Sequence, residues 1–161
     1  MTTLESLREQ VRQRADMENS NFVKDPELNL YINASYGELY DLLVSRQEDY
    51  FVVDSTFTLT TTNTQALPAD FYKLVGIDFL IDSNQESAIS LRKFNFAERN
   101  AYARENVPAR TFRGIPERMY RIVGEEIFIL PESNANGTYK IWYIPKMTAL
   151  AADADELDAN C

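Results

Sequence analysis

The stretch that decides the fold is MYRIVGEEIFILPESNANGTYKIWYIP, which runs from Met119 to Pro145. Three runs of apolar and β-branched residues lie within it, near 119–123, 126–130 and 138–144. A Gly124-Glu125 corner separates the first two runs, and an Asn136-Gly137 turn precedes the third. Because glycine adopts positive φ at little cost and the connections are short, the stretch predicts an antiparallel meander of three strands.

Strand-like alternation also occurs upstream of this meander. Apolar and polar residues alternate with a period of two in three runs, near 51–61, 74–81 and 88–92. The sequence Asp82-Ser83-Asn84 between the last two runs favours a turn, so we predict that they form a hairpin. Together with the meander, the six runs predict a small antiparallel β-sheet.

Two shorter segments have the pattern of helices. Near the N-terminus, Thr2 and Glu5 have the spacing of a capping box, and an apolar stripe follows at Leu4, Leu7, Val11 and Ala15. A short helix is predicted near 95–104, because Asn95 and Glu98 repeat the capping spacing.

The longest helix is predicted at about 25–47. Asp25 is a suitable cap, and Pro26 suits the first helical position. Its predicted apolar face consists of Leu28, Tyr31, Ile32, Leu39, Leu42 and Leu43. The chain is therefore predicted to be of the α+β class, with an N-terminal helical hairpin or bundle followed by the sheet.

Length and composition predict a single domain. The 161 residues, of which 45% are hydrophobic, suffice for one sizeable core, which we place at 1–148. Residues 149–161 are rich in Ala and Asp and are predicted to form a flexible tail or the start of a further C-terminal segment. The sequence has no apolar run of membrane-spanning length and no secretory signal, so we expect a soluble, unexported protein without a membrane partner.

The residue types exclude several kinds of site. Histidine is absent and Cys161 is the only cysteine, so neither an intramolecular disulfide nor a zinc site is expected. No segment combines a nucleophile with a base or contains a phosphate-binding loop. Asp153, Asp155 and Asp158 lack the glycine and the closing glutamate of a calcium loop. We therefore predict no cofactor, no metal and no catalytic residue.

Charge is distributed unevenly along the chain. The net charge of −9 is the sum of −9 for residues 1–91, with 15 acids and 6 bases, +5 for residues 92–121, and −5 for residues 122–161, with 7 acids and 2 bases. Residues 92–121 instead carry 8 bases and 3 acids. The bases of this basic belt are Arg92, Lys93, Arg99, Arg104, Arg110, Arg113, Arg118 and Arg121. The belt is a candidate interface for an acidic partner or a neighbouring copy, although charged runs are commonly just solvated.

Five blocks, in this order, resemble the head-to-tail adaptor (head-completion) proteins of tailed bacteriophages. They are DPELNLYINASYGELYDLL from Asp25, LPADFYKLVGID from Leu67, LRKFNFAERN from Leu91, YRIVGEEIFILP from Tyr120 and YKIWYIP from Tyr139. Each block alone is an ordinary helix or strand. Their order over most of the chain carries the resemblance.

The resemblance implies a structural protein of the virion neck and not an enzyme. Adaptors of this kind form a ring, usually dodecameric, that connects the portal to the tail and extends the DNA channel. The implied partners are further copies of the chain, the portal protein and a downstream tail or nozzle protein, while genomic DNA passes through without specific binding. Assembly is implied to take place in the host cytoplasm.

The resemblance also suggests surfaces for ring contacts. Tyr31, Tyr36 and Tyr40 are predicted to divide between the subunit core and the adjacent subunit, since aromatic residues are enriched in interfaces. The basic belt would face the acidic first 91 residues of a neighbour.

The sequence departs from this family after the IWYIP strand, where its members continue into a helical segment that is implied to dock on the portal. Asp153, Asp155 and Asp158 are predicted to lie in a tail that becomes ordered on docking.

Other functions remain open at the level of sequence. A stopper or tail-completion protein would share the location. A cytosolic binding module could use the strand face to recruit a peptide or protein. A virion-associated cell-wall hydrolase would need a carboxylate pair, for which Glu117, Glu125, Glu126 and Glu132 are available. Glu125 and Glu126, however, lie at a predicted hairpin corner, where neither gains a desolvating pocket.

Overall fold

The structure is a computed structural model that describes residues 2–17, 22–82, 87–103, 111–112 and 115–157. The chain forms two compact units. The first contains Met1–Phe51 and Lys146–Cys161, and the second contains Val52–Pro145. This division differs from the predicted single domain at 1–148. The residues after Pro145 belong to the first unit, because they form hydrogen bonds with the N-terminal helix.

The first unit is helical. It contains α1 (Leu4–Arg14), α2 (Asp25–Arg46) and a 3₁₀ turn at Glu48–Phe51. The cap of α1 is Thr3, whose side chain accepts a hydrogen bond of 3.3 Å from the Ser6 N–H. The prediction that Thr2 caps this helix was therefore wrong by one residue.

The helix α2, at Asp25–Arg46, confirms the predicted extent of about 25–47, but its N-terminal cap differs from the predicted one. Lys24 occupies the cap position without a side-chain hydrogen bond, and Pro26 lies in the first turn. Asp25 is the first helical residue and not the cap, and its carboxylate accepts a 2.7 Å hydrogen bond from Arg12. The acid still lies in the first turn, where negative charge is favourable for the helix dipole.

The buried side of α2 also differs from the predicted apolar face. Its buried residues recur at every fourth position: Leu28, Ile32, Tyr36, Tyr40 and Val44. We predicted that Tyr31, Leu39 and Leu42 share the buried face, but all three are exposed. Apolar side chains occur on several sides of this helix, so periodicity alone did not identify the packed side.

The core of the first unit joins both helices to the segment at 146–157. Buried in it are Leu4, Leu28, Ile32, Tyr36 and Leu150, against which Leu7, Val23, Met147 and Leu157 pack. Leu150 is only 4% exposed. Residues 149–157, which we predicted to form a flexible tail, therefore contribute a core side chain to the first unit.

The second unit is built from β-strands with one short helix. The strands are β1 (Val53–Leu59), β2 (Thr64–Ala66), β3 (Phe71–Leu80), β4 (Ala88–Ser90), β5 (Arg92–Lys93), β6 (Thr111–Phe112), β7 (Ile115–Pro116), β8 (Met119–Val123), β9 (Glu126–Leu130) and β10 (Gly137–Pro145). A 3₁₀ turn (Phe96–Glu98) and α3 (Arg99–Ala103) follow β5. Asn95 caps this turn through a 3.2 Å bond from the Ala97 N–H, which confirms the predicted cap.

Among these residues, two four-stranded sheets and one two-stranded sheet are present, with strand orders β1-β10-β3-β4, β2-β9-β8-β5 and β6-β7. The hairpin of β8 and β9 is confirmed, and Gly124 has the expected positive φ of 63°. The prediction of a three-stranded meander was wrong, because β10 pairs with β1 and β3 in the other sheet. The connection after β9 contains a 3₁₀ turn and is longer than a tight hairpin loop, so β10 is not forced to pair with β9.

The core of the second unit lies around Tyr139 on β10. Its ring stacks on Phe57 at a centroid distance of 5.3 Å and contacts Phe79 at 5.4 Å. Burial raises the pKa of Tyr139 to about 12, and its hydroxyl donates a 2.6 Å hydrogen bond to the Ala135 carbonyl. The fold is mixed α+β, as predicted, although β5 pairs with β8 in parallel and not antiparallel.

Candidate assembly surfaces

The basic belt lies entirely in the second unit. Its described members are Arg92, Lys93, Arg99, Arg118 and Arg121, whereas Arg104, Arg110 and Arg113 lie outside the described residues. Arg92, Lys93 and Arg99 are exposed, and Arg118 and Arg121 are half-buried. The belt is thus not one uniform solvated run.

Arg118 supports the core of its own unit. Its guanidinium lies 3.7 Å from the centroid of the Phe79 ring, and its Nε donates a 2.6 Å hydrogen bond to the Asn134 carbonyl. These contacts join the residue before β8 to the connection before β10 and cover Phe79, an aromatic residue that packs against the core. Arg118 therefore has a structural role that the charge count did not indicate.

The other described arginines form a surface around Phe96. The Arg99 guanidinium lies 4.5 Å from the centroid of this ring and donates to the Phe96 carbonyl at 3.1 Å. The Arg121 guanidinium lies 5.4 Å from the same centroid and donates to the Phe94 carbonyl at 3.1 Å. Phe96 remains 40% exposed. Two fixed guanidinium groups thus border one exposed aromatic ring.

Arg92 lies on the same face of the sheet as Arg121. It pairs with Met119 in the parallel ladder of β5 and β8, and Arg121 lies two residues beyond Met119. Side chains two residues apart on a strand share a face, and directly paired residues do so too. We call the surface formed by Arg92, Phe96, Arg99 and Arg121 the Phe96 patch.

The three tyrosines of α2 have different environments. Tyr36 and Tyr40 are buried, and the ring of Tyr40 meets Phe51 edge-on at a centroid distance of 5.0 Å. Tyr31 is 59% exposed and donates a 3.0 Å hydrogen bond to Glu27, which raises the pKa of the Tyr31 hydroxyl. Only Tyr31 is thus available at the surface, and its contact with another subunit stays a prediction.

Sequence reasoning missed the exposed apolar side of α2. Opposite the buried stripe lie exposed residues that include Glu27, Leu30, Tyr31, Glu38, Asp41 and Leu42. Leu30 and Leu42 are 71% and 58% exposed. We call this surface the outer face of α2. The signal was present in the sequence, because the segment from Pro26 to Ser45 contains three acids and no lysine or arginine.

The side chain of Asn33 on α2 binds the backbone of the C-terminal segment, residues 146–157, at Leu150. Its amide nitrogen donates to the Leu150 carbonyl at 2.9 Å, and its amide oxygen accepts from the Leu150 N–H at 2.8 Å. The same nitrogen also donates to the Asn29 carbonyl at 2.9 Å, one turn earlier in the helix. This arrangement places the Leu150 side chain in the core of the first unit.

The same segment caps the N-terminus of α1. The N–H groups of Leu4 and Glu5 donate to the carbonyls of Asp155 and Asp153, at 2.9 and 3.2 Å. The first N–H groups of a helix have no acceptor within the helix. Residues 153–155 therefore supply acceptors that α1 cannot supply itself.

Ion pairs join the segment to both helices. Arg8 pairs with Asp153 and lies 3.5 Å from Asp25, which also accepts from Arg12. The hydrogen bond from Arg12 holds the pKa of the Asp25 carboxyl below its usual value, and the charges of Arg12 and Arg8 act in the same direction. The two helices and the segment thus share one chain of alternating charges.

The aspartates that we predicted to become ordered on docking already have partners in this structure where they are described. Asp153 pairs with Arg8. Asp155 accepts hydrogen bonds from the Ala151 and Ala152 N–H groups, at 2.7 and 2.8 Å, which lower the pKa of its carboxyl. Asp158 lies outside the described residues. Ordering on docking stays a prediction.

Two of the candidate hydrolase carboxylates, Glu125 and Glu126, lie at an exposed corner of the β8–β9 hairpin. Glu125 occupies the turn between β8 and β9, Glu126 begins β9, and both are exposed. Within the described part of the chain, no three acidic or sulfur side chains cluster in a way that could hold a metal ion. None of the helices in the described ranges has both the length and the apolar character needed to cross a membrane.

The family comparison covers both units. The model of the SU10 adaptor protein family matches residues 2–160. This chain belongs to the SU10 adaptor protein family. No curated protein matches the chain significantly. Membership supports a structural adaptor role, association with other phage structural proteins and a place in the virion. It also agrees with the resemblance to phage adaptors that the five sequence blocks carry.

Proposed function

We propose that this protein is the head-to-tail adaptor of a tailed bacteriophage, a ring of identical subunits that joins the portal to the tail and extends the DNA channel. The observation that carries the proposal is the family match over residues 2–160, which includes both structural units. The chemistry of Arg118, Asp25 and Asp155 is consistent with a role in contacts and not in turnover, because these residues serve packing, an ion pair and a turn.

The charge of the chain suits a channel wall. In a dodecamer, a net charge of −9 per chain amounts to roughly a hundred negative charges, which repel a phosphate backbone. A channel that repels DNA does not retain it during ejection. We therefore expect genomic DNA to pass without specific binding.

The partners in this proposal are further copies of the chain, the portal protein and a downstream tail or nozzle protein. The exposed members of the basic belt and Tyr31 are the proposed contact residues, and the buried Tyr36 and Tyr40 are not. Ordering of the C-terminal segment on the portal is part of this proposal, although Asp153 and Asp155 already have partners in the isolated chain. Assembly would take place in the host cytoplasm and the final position would be the virion neck.

Portal binding tests the proposal directly. Purified chain is mixed with portal rings and sedimented, and we expect it to sediment with the rings as a layer that cryo-electron microscopy places on the side facing the tail. A chain with no affinity for portal rings, combined with its absence from purified particles, would refute the proposal. A layer found below another ring and not in contact with the portal would instead identify a stopper or tail-completion protein.

A further inference from the structure

Two exposed surfaces of this chain have opposite chemical character. The outer face of α2 presents the apolar side chains of Leu30, Tyr31 and Leu42 beside Glu27, Glu38 and Asp41. From Pro26 to Ser45 the helix has no basic residue. Single exposed apolar residues are ordinary, but several on one side of a helix, bordered by charges of one sign, are typical of an interaction site.

The Phe96 patch has the complementary properties. It presents an exposed aromatic ring bordered by Arg99 and Arg121, and Arg92 lies on the same face of the sheet as Arg121. None of these three arginines forms an ion pair with an acidic side chain of the described residues. Hydrogen bonds to the backbone fix the guanidinium groups of Arg99 and Arg121, so little side-chain entropy is lost when a partner binds. Aromatic residues and arginines are the types that contribute most to interfaces.

We propose that the Phe96 patch of one copy binds the outer face of α2 of a second copy. Phe96 would pack against the exposed apolar side chains of the helix, and the arginines would pair with its acids, Glu38 among them. Because the two surfaces differ, the contact is heterologous, and its repetition generates a ring where the rotation between copies closes. The inference rests on the proposed function in so far as that function requires a ring, and it names the two surfaces that form it.

A second copy fits the patch better than nucleic acid does. A protein of net charge −9 repels phosphate backbones at a distance, and the patch has only three described arginines to offset this. The outer face of α2 supplies both acids and an apolar surface, and it is present at the same concentration as the patch. A duplex would offer the exposed Phe96 ring no comparable apolar contact.

Cross-linking between chains tests the contact. With Cys161→Ser in every chain, one chain carries Glu38→Cys and a tagged second chain carries Arg92→Cys, and a short bismaleimide joins them. The matched control replaces the first chain by one with Glu9→Cys, an exposed acid on α1. The reaction is run on free chains and on chains bound to portal rings. We expect the 38–92 product to form on the order of tenfold faster than the 9–92 product, because docking raises the effective concentration of the two thiols.

Charge exchange gives an independent measurement. Glu38→Arg and Arg92→Glu should each weaken self-association on the order of tenfold at low ionic strength, and the chain with both changes should recover most of the loss. Both residues, Glu38 and Arg92, are exposed, so folding is not at risk. The proposed contact would be overturned if the 38–92 and 9–92 products formed at equal rates, both on free chains and on portal-bound chains. The contact would also be overturned if the chain bound DNA and Arg92→Glu abolished this binding without changing self-association.

The outcome separates this inference from the proposed function. If portal rings bind the chain and the two cross-links form equally fast, the adaptor role stands and the contact is wrong. If the 38–92 product forms selectively but portal rings do not bind the chain and purified particles lack it, the contact stands and the adaptor role is wrong.

Discussion

Removal of the Asn33 side chain should detach the C-terminal segment from the first unit. In Asn33→Ala, the Leu150 N–H and carbonyl lose the hydrogen bonds of 2.8 and 2.9 Å that hold them to the helix. A hydrogen bond of this kind contributes about 0.5–1.5 kcal/mol, so the two together contribute about 1–3 kcal/mol to holding residues 146–157 in place. The variant should therefore open the segment about 5–150 times more often than the native chain.

Amide hydrogen exchange at Leu4 and Glu5 measures this opening at a distance from the substitution. These N–H groups lie in the first turn of α1, where no acceptor exists within the helix, and they donate to residues 155 and 153. Their protection thus depends on the segment alone. We expect Asn33→Ala to accelerate hydrogen exchange at both amides by the factor by which segment opening increases. Ser35→Ala, a substitution of an exposed residue on the same helix, should leave both exchange rates unaltered. Exchange of both amides at the rate of an unstructured peptide in the native chain would refute the reasoning.

Two further changes test other parts of the fold. Gly137 has a φ of 141°, and a Cβ there would lie 2.5 Å from Phe79 Cε2, so Gly137→Ala should lower the free energy of unfolding in urea by about 1–3 kcal/mol. Gly124 has a φ of 63° and open space around it, so Gly124→Ala should lower the same free energy by only about 1 kcal/mol. Equal losses for the two variants would contradict this assignment. The pKa of Asp25 is lowered by Arg12, so its contribution to stability is complete above its ordinary value of 3.8 and is lost as the pH falls through the lower folded value. The difference in Tm between the native chain and Asp25→Asn should therefore shrink below pH 3.8, and a difference that grows on acidification would be inconsistent with the ion pair.

Local signals in the sequence were sufficient for the helices and most strands. Pro26 and the apolar pattern after it predicted a helix that the structure places at Asp25–Arg46. Asn95 and Gly124 were recognised because a cap and a positive φ each depend on one residue type at one position. The packed side of α2 was not recognised, because apolar residues surround the helix and only tertiary contacts select among them.

Features that depend on distant contacts could not be predicted. The strand β10 follows the β8–β9 hairpin along the chain but pairs with strands that precede it by more than fifty residues. The C-terminal segment has the Ala- and Asp-rich composition of a flexible tail, yet Leu150 and Leu157 find partners at the other end of the sequence. A composition count gives no information on such pairing.

The candidate site was predicted in part. Charge counting located the basic belt, and the structure places its described arginines in one unit. The count could not show that Arg118 supports Phe79, or that Arg121 lies against Phe96, because these contacts join elements that are distant in sequence. The outer face of α2 was overlooked because two of its apolar residues, Tyr31 and Leu42, were assigned to the predicted buried face.

The contact between the two ends of the first unit has a consequence for biosynthesis. Val52–Pro145 is a continuous stretch that can fold as soon as it has left the ribosome. The first unit, although it begins at the N-terminus, lacks Leu150 and the acceptors for α1 until residues 146–157 have been translated. Nascent chains should therefore complete their N-terminal part last, and unfinished chains would be unable to present a native α1–α2 unit to the assembling particle.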